Sequence, residues 1–122
     1  MEKLISSVGV DSGIIMISDR DYYNKYNGKV DKIARSISLK PGSYNVKWKI
    51  LETWNGPIEG EGTVELTSGK MIISDPCYNI NNEWDKWLKE TDYGKNCGYG
   101  VILIDKMGGD GTYEVLLNIT SK

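Results

Sequence analysis

The chain of 122 residues has no histidine. That absence removes Ser-His-Asp and Cys-His nucleophile systems, the zinc deaminase pattern and most histidine-based metal sites. Any catalysis would fall to carboxylates, Tyr, Lys or Cys. Cysteine is scarce too. Cys77 and Cys97 lie too far apart in sequence to make a zinc knuckle, and two cysteines do not suggest a disulfide framework. They read as free, partly buried thiols, and Cys77 has no cationic sequence neighbour to activate it. No apolar run reaches transmembrane length. The opening Met1-Glu-Lys-Leu-Ile-Ser-Ser lacks the apolar stretch of a signal peptide, so a cytoplasmic protein is expected. A basic excess is missing as well. The net charge of −2 argues against a nucleic-acid or membrane partner. Lys and Arg are uneven, however: nine of the fifteen precede residue 50, which leaves room for a local basic patch.

What is present is a phrase that occurs twice. Asp11-Ser-Gly-Ile-Ile-Met-Ile-Ser-Asp19-Arg-Asp-Tyr22 aligns without gaps on Thr67-Ser-Gly-Lys-Met-Ile-Ile-Ser-Asp75-Pro-Cys-Tyr78. A second phrase recurs in the same order, Gly42-Ser-Tyr44-Asn-Val46 and Gly111-Thr-Tyr113-Glu-Val115. The chain reads as one domain, 1–122, built from two degenerate β-rich units, 1–60 and 61–122. Such units pack about an approximate twofold axis and share a core.

Residues 4–10 alternate weakly and suit an edge strand. Ile14–Ile17 and Met71–Ile73 are short continuous apolar runs, the pattern of strands buried on both faces. Asp19 and Asp75 fall just past their ends. Tyr44, Val46, Trp48 and Ile50 alternate with Asn45, Lys47 and Lys49, which predicts a strand over 43–53 with a basic outer face. Trp54-Asn55-Gly56-Pro57 turns the chain, and 58–66 returns as its partner, with Gly60 and Gly62 making room for Trp48 or a bulge. The spacing of Trp84, Trp87 and Leu88 after a capping Asn predicts one short α-helix near 82–91. Strands over 100–105 and 112–119 close the chain around the Met107–Gly111 hairpin. The expected fold class is mainly β: an antiparallel β-sandwich or small barrel from two repeats, with that single helix.

The string Ser68-Gly-x-Met-x-Ile-x-Asp75-Pro76-Cys77-Tyr78, followed by Gly109-Asp110-Gly111-x-Tyr113-x-Val115, resembles small β-rich phage and bacterial proteins of uncharacterised function. The likeness covers mostly the second half. It implies a compact β fold and a phage or prophage source, and carries no activity with it. The first half keeps Asp11-Ser-Gly and Asp19 but has Arg20-Asp21 where the second has Pro76-Cys77, so the two halves are not expected to be equivalent sites.

Three constellations could carry function. Asp19 and Asp75, with Asp105 at a third strand end, would bind a metal or split acid and base roles if they converge, whereas carboxylates at strand ends commonly accept turn amides. Tyr22, Tyr23 and Tyr26 with Arg20 and Arg35, and Tyr78 in the second half, could stack a planar ligand and pair with its phosphates; Tyr22 and Tyr78 also suit core anchors. Gly108-Gly109-Asp110-Gly111 lacks the Lys-Ser/Thr and helix of a phosphate loop and reads as a hairpin. The reading that follows is a homo-oligomeric, non-enzymatic module binding a small molecule. It needs no cofactor or metal and has no catalytic residues. A phage-encoded sponge for a nucleotide-type signal, acting in the host cytoplasm, would have these traits. The alternatives are a phage structural, interaction or inhibitor protein that adds a strand to a partner's sheet, and a carboxylate or metal-dependent hydrolase.

Overall fold

A computed structural model describes residues 2–21, 35–76, 96–97, 101–105 and 107–122. The strands are β1 (Glu2–Val10), β2 (Ile15–Asp19), β3 (Arg35–Ser38), β4 (Gly42–Ile50), β5 (Ile58–Leu66), β6 (Lys70–Ser74), β7 (Asn96–Cys97), β8 (Val101–Ile104) and β9 (Gly111–Ser121). They form two antiparallel sheets, one ordered β1-β9-β4-β5 and the other β3-β6-β2-β8-β7. The fold is mainly β with the layout of a β-sandwich. The helix expected near 82–91 lies outside the described residues, and β5 spans the boundary expected at 60/61.

The alternation in β4 explains the first sheet. Tyr44, Val46 and Ile50 are buried on its inner face while Asn45, Lys47 and Lys49 point outward. The second sheet differs. β2 is buried at all five positions, and β6 and β8 at every apolar position. Continuous apolar runs belong on strands with no solvent-facing side. Ile15, Ile17, Met71, Ile73, Ile102 and Ile104 meet Val8, Val46, Val64, Val115 and Leu117 of the first sheet in one core. Each fully buried aliphatic side chain of this kind contributes about 1.5–3 kcal/mol relative to exposure.

Exchanging the two halves leaves the topology unchanged, apart from the short extra strand β7. Ile17 pairs with its own sequence mate Ile73, and Met16–Ser74 matches Ser18–Ile72 about that centre. In the other sheet Trp48 pairs with its mate Leu117. Val8 opposes Tyr113 as Val64 opposes Tyr44. The two tyrosines also bond alike: Tyr44 donates its hydroxyl to the Lys40 carbonyl (2.5 Å), Tyr113 to the Gly109 carbonyl (2.8 Å). Gly60 lies opposite Trp48, and a Cβ there would stand 2.5 Å from the indole Cζ2. The glycine is therefore required by the ring across the strand.

Candidate functional site

The turns after β1 and β5 carry the chain from one sheet to the other, and the strand-end aspartates hold them crosswise. Asp75 accepts from the backbone of Asp11 (2.6 Å) and Ser12 (2.7 Å) and from the Ser12 hydroxyl (2.6 Å). Asp19 accepts from the Thr67 amide (3.3 Å) and hydroxyl (2.8 Å), from the Ser68 amide (3.3 Å), and from the Ser68 hydroxyl. Each half thus pins the turn of the other. Gly13 and Gly69 complete these turns at φ of +77° and +79°, the left-handed region that favours glycine. Burial pushes the Asp19 carboxyl pKa upward, but bonds from the Ser68 and Thr67 side chains and backbone outweigh it. The net result lies below the ordinary 3.8.

The three carboxylates do not converge. Asp19 pairs with Met71, whereas Asp75 follows Ser74 at the far end of the same antiparallel pair. At roughly 3.3 Å per residue the two stand about 13 Å apart. Asp105 follows β8 on the other side of β2 from Asp75, about 10 Å away across two strand spacings. Antiparallel pairing of matched strands puts matched ends at opposite poles, which is why the expected cluster fails. Among the described residues no group of three potential metal ligands occurs.

The aromatic group is only partly within the described residues. Tyr22, Tyr23, Tyr26 and Tyr78 lie outside them, as does Cys77. Arg20 follows β2, its guanidinium 3.9 Å from Asp21, and its Nε is buried without a hydrogen-bond partner. Arg35 begins β3 opposite Ile73 and has a partner of its own. The two arginines flank β6 from opposite sides and at different levels.

The four-stranded sheet presents two features that extend the sequence reading of 4–10 as an edge strand and of a basic outer face at Lys47 and Lys49. The first is its edge. Leu51 donates its amide to the Glu114 carbonyl (3.3 Å) and Lys122 donates to the Ser43 carbonyl (2.9 Å). Odd-numbered residues of β4 therefore bond even-numbered residues of β9, and the alternation propagates outward. It leaves Lys3, Ile5, Ser7 and Gly9 of β1 with N–H and C=O aimed away from the sheet. On β5 the same accounting leaves Glu59, Glu61, Thr63 and Glu65. These are matched positions in the two halves, yet one edge carries three carboxylates and the other none. Ile5 is 71% exposed, one of two large apolar side chains so placed among the described residues. Trp54 is the other, at 84%, lying against Gly108 and Gly109 at a hairpin tip.

The second feature is a shallow depression of about 190 Å³ on the outer face, lined by Lys3, Lys47, Lys49, Glu59, Leu116 and Asn118 among others. Register puts Lys3, Asn118 and Lys47 in one row across three strands. Asn118 Oδ1 is buried there with no donor. Among the described residues no carboxylate comes within ion-pair distance of these lysines. The cue for this site is the basic alternation at Lys47 and Lys49. For the edge, the cue is the uncharged stretch Leu4–Val10.

Comparison with known protein families, curated proteins and solved structures yields no match. The functional reading therefore stands on the geometry alone.

Proposed function

We propose that this protein is a non-enzymatic interaction module that engages a partner by strand addition along the outer edge of β1, which pairs with no further strand among the described residues. One observation carries the reading. Seven consecutive residues, Leu4–Val10, form an edge with no charged side chain, while the matched edge of β5 is guarded by Glu59, Glu61 and Glu65. Charges on edge strands block unwanted pairing. The stretch Leu4–Val10 omits them and offers three outward backbone pairs, at Ile5, Ser7 and Gly9, with a fourth at Lys3 and with Ile5 as an apolar contact. The aspartates support the non-enzymatic side of the reading. Asp19 and Asp75 are committed to turn amides and stand apart, so no paired-carboxylate chemistry is built from them.

The test is fluorescence anisotropy with a labelled synthetic peptide copying Lys3–Val10. Saturable binding is expected, together with its loss for the same peptide carrying Ser7→Pro, since proline there removes an N–H that bonds across the new strand pair. Equal binding of both peptides, or binding of neither by the chain in monomeric form, would contradict the reading.

A second reading is favoured by the depression beside Asn118. A nucleotide-type ligand has phosphates for Lys3, Lys47 and Lys49 and hydroxyl or amine donors for the Asn118 oxygen. Such a ligand matches the role of a phage-encoded sponge in a host cell. Calorimetry against cyclic and ADP-ribose-type nucleotides, with Lys47→Ala as the control, should give heat that the variant lacks. Flat traces throughout would remove the idea.

A further inference from the structure

We propose that the strand added to β1 is the β1 strand of a second copy, paired antiparallel about Ser6, so that two molecules share one eight-stranded sheet. The inference rests on the strand-addition reading and commits it to a partner. Four arguments point to the same arrangement.

The first is register. Outward backbone groups sit at Lys3, Ile5, Ser7 and Gly9. Antiparallel pairing centred on Ser6 sets Lys3 opposite the second copy's Gly9 and Ile5 opposite the second copy's Ser7, and repeats both pairs by symmetry. Every outward group then has a partner. Centring one residue away at Ile5 or Ser7 leaves some of them outside the four-residue match.

The second is side-chain cover. On the outer face, the two Ile5 side chains become diagonal neighbours, within reach of each other across the new strand pair. This covers the exposed aliphatic residue of the edge. On the inner face, Leu4 meets the second copy's Val8. Leu4 is already packed on the core and Val8 is buried within it, so the apolar layer continues across the junction.

The third is charge. Pairing β5 with a second β5 would set Glu59, Glu61 and Glu65 against one another, which is destabilising for like charges directly opposed. A β1–β5 contact gives at most one Lys–Glu pair, at Lys3, and leaves other glutamates facing Ser7 or Gly9. The β1–β1 contact opposes no like charges.

The fourth is closure. A β1–β5 contact is head-to-tail and ends only if its rotation closes a ring, whereas β1–β1 is isologous and stops at two. Both outer edges of the joined sheet are then the glutamate-lined β5 strands. The sequence difference between matched edges is what limits the assembly.

The experiment is native mass spectrometry with light scattering on the full chain across micromolar concentrations. Wild type is expected to be a dimer. Ile5→Glu, which copies Glu61 from the matched edge, is expected to be a monomer. Because Ile5 is exposed, the circular dichroism of Ile5→Glu should match that of Ile5→Val, which should remain dimeric, and the two unfolding midpoints should match once Ile5→Val is diluted to monomer. Glu61→Ile removes a guard from β5 and should extend the dimer into larger species. A wild-type chain that stays monomeric, or an Ile5→Glu chain that stays dimeric, would overturn the proposal. A monomer that still binds the Lys3–Val10 peptide would leave strand addition standing while the two-copy arrangement falls. A monomer that ignores the peptide would remove both.

Discussion

Replacing Asp19 by asparagine keeps the side chain's shape and tests whether the crosswise turns hold the halves together. Both oxygens of Asp19 face a backbone N–H and a hydroxyl: Thr67 on one side, Ser68 on the other. A carboxamide has only one oxygen. Whichever way the new side chain turns in Asp19→Asn, its NH2 confronts either the Thr67 or the Ser68 amide, donor against donor. A part-buried donor left unpaired costs about 1–3 kcal/mol, and bonds to a neutral acceptor are weaker than those to a charged one. The expected loss is about 2–3 kcal/mol, or a fall in Tm of roughly 10 °C for a chain of this size. Urea unfolding followed by tryptophan fluorescence measures it, with the m-value unchanged if the native fold persists. Acid sharpens the test. The folded Asp19 pKa lies below 3.8, so its contribution is complete above that value and is lost as pH falls through the lower folded one. The Asp19→Asn variant has no such loss, so its gap from wild type should narrow in acid. An Asp19→Asn protein within about 0.5 kcal/mol of wild type at neutral pH would refute the reasoning, because that is the range of an uninvolved surface change.

Other outcomes follow from the same contacts. Gly60→Ala should lower stability by about 1–3 kcal/mol in chemical denaturation, because its methyl would meet the Trp48 ring. Tyr44→Phe and Tyr113→Phe should each cost about 1 kcal/mol and resemble one another, since each loses one hydroxyl bond to a carbonyl four residues back. Gly13→Ala and Gly69→Ala both strain a left-handed residue, at about 1 kcal/mol. Gly69→Ala should be the worse of the two in thermal melts, because its methyl also crowds the Leu39 carbonyl at 3.3 Å while Gly13 faces open space.

The strands were legible because their burial patterns are simple. The alternation at 44–50 and the unbroken runs at 14–17 and 71–73 translate directly into one-sided and two-sided strands. The match of Gly60 to Trp48 was also readable, since a large ring opposite a small residue is a local matter of register. The aspartates were half readable. Their place at strand ends follows from the run lengths, but the turns they hold lie 48 to 64 positions away in the chain. Nothing in a local window tells a carboxylate which distant amide it will accept from. Their failure to converge is a consequence of antiparallel pairing between mates, which composition does not specify. The working edge was half readable too. Residues 4–10 read as an edge strand, and the order β1-β9-β4-β5 places β1 at an edge, but which backbone groups face outward follows only from hydrogen-bond parity across the sheet. Only then does the contrast between Ile5 and Glu61 become a statement about assembly.

Residue-resolved amide hydrogen exchange, at dilute and at high protein concentration, tests the central claim most directly. The account predicts that the outward amides of Lys3, Ile5, Ser7 and Gly9 become protected as concentration rises, while those of Glu59, Glu61, Thr63 and Glu65 exchange freely at both. Outward β1 amides that exchange as fast as their β5 counterparts at every concentration would contradict it, as would protection that grows on β5 instead.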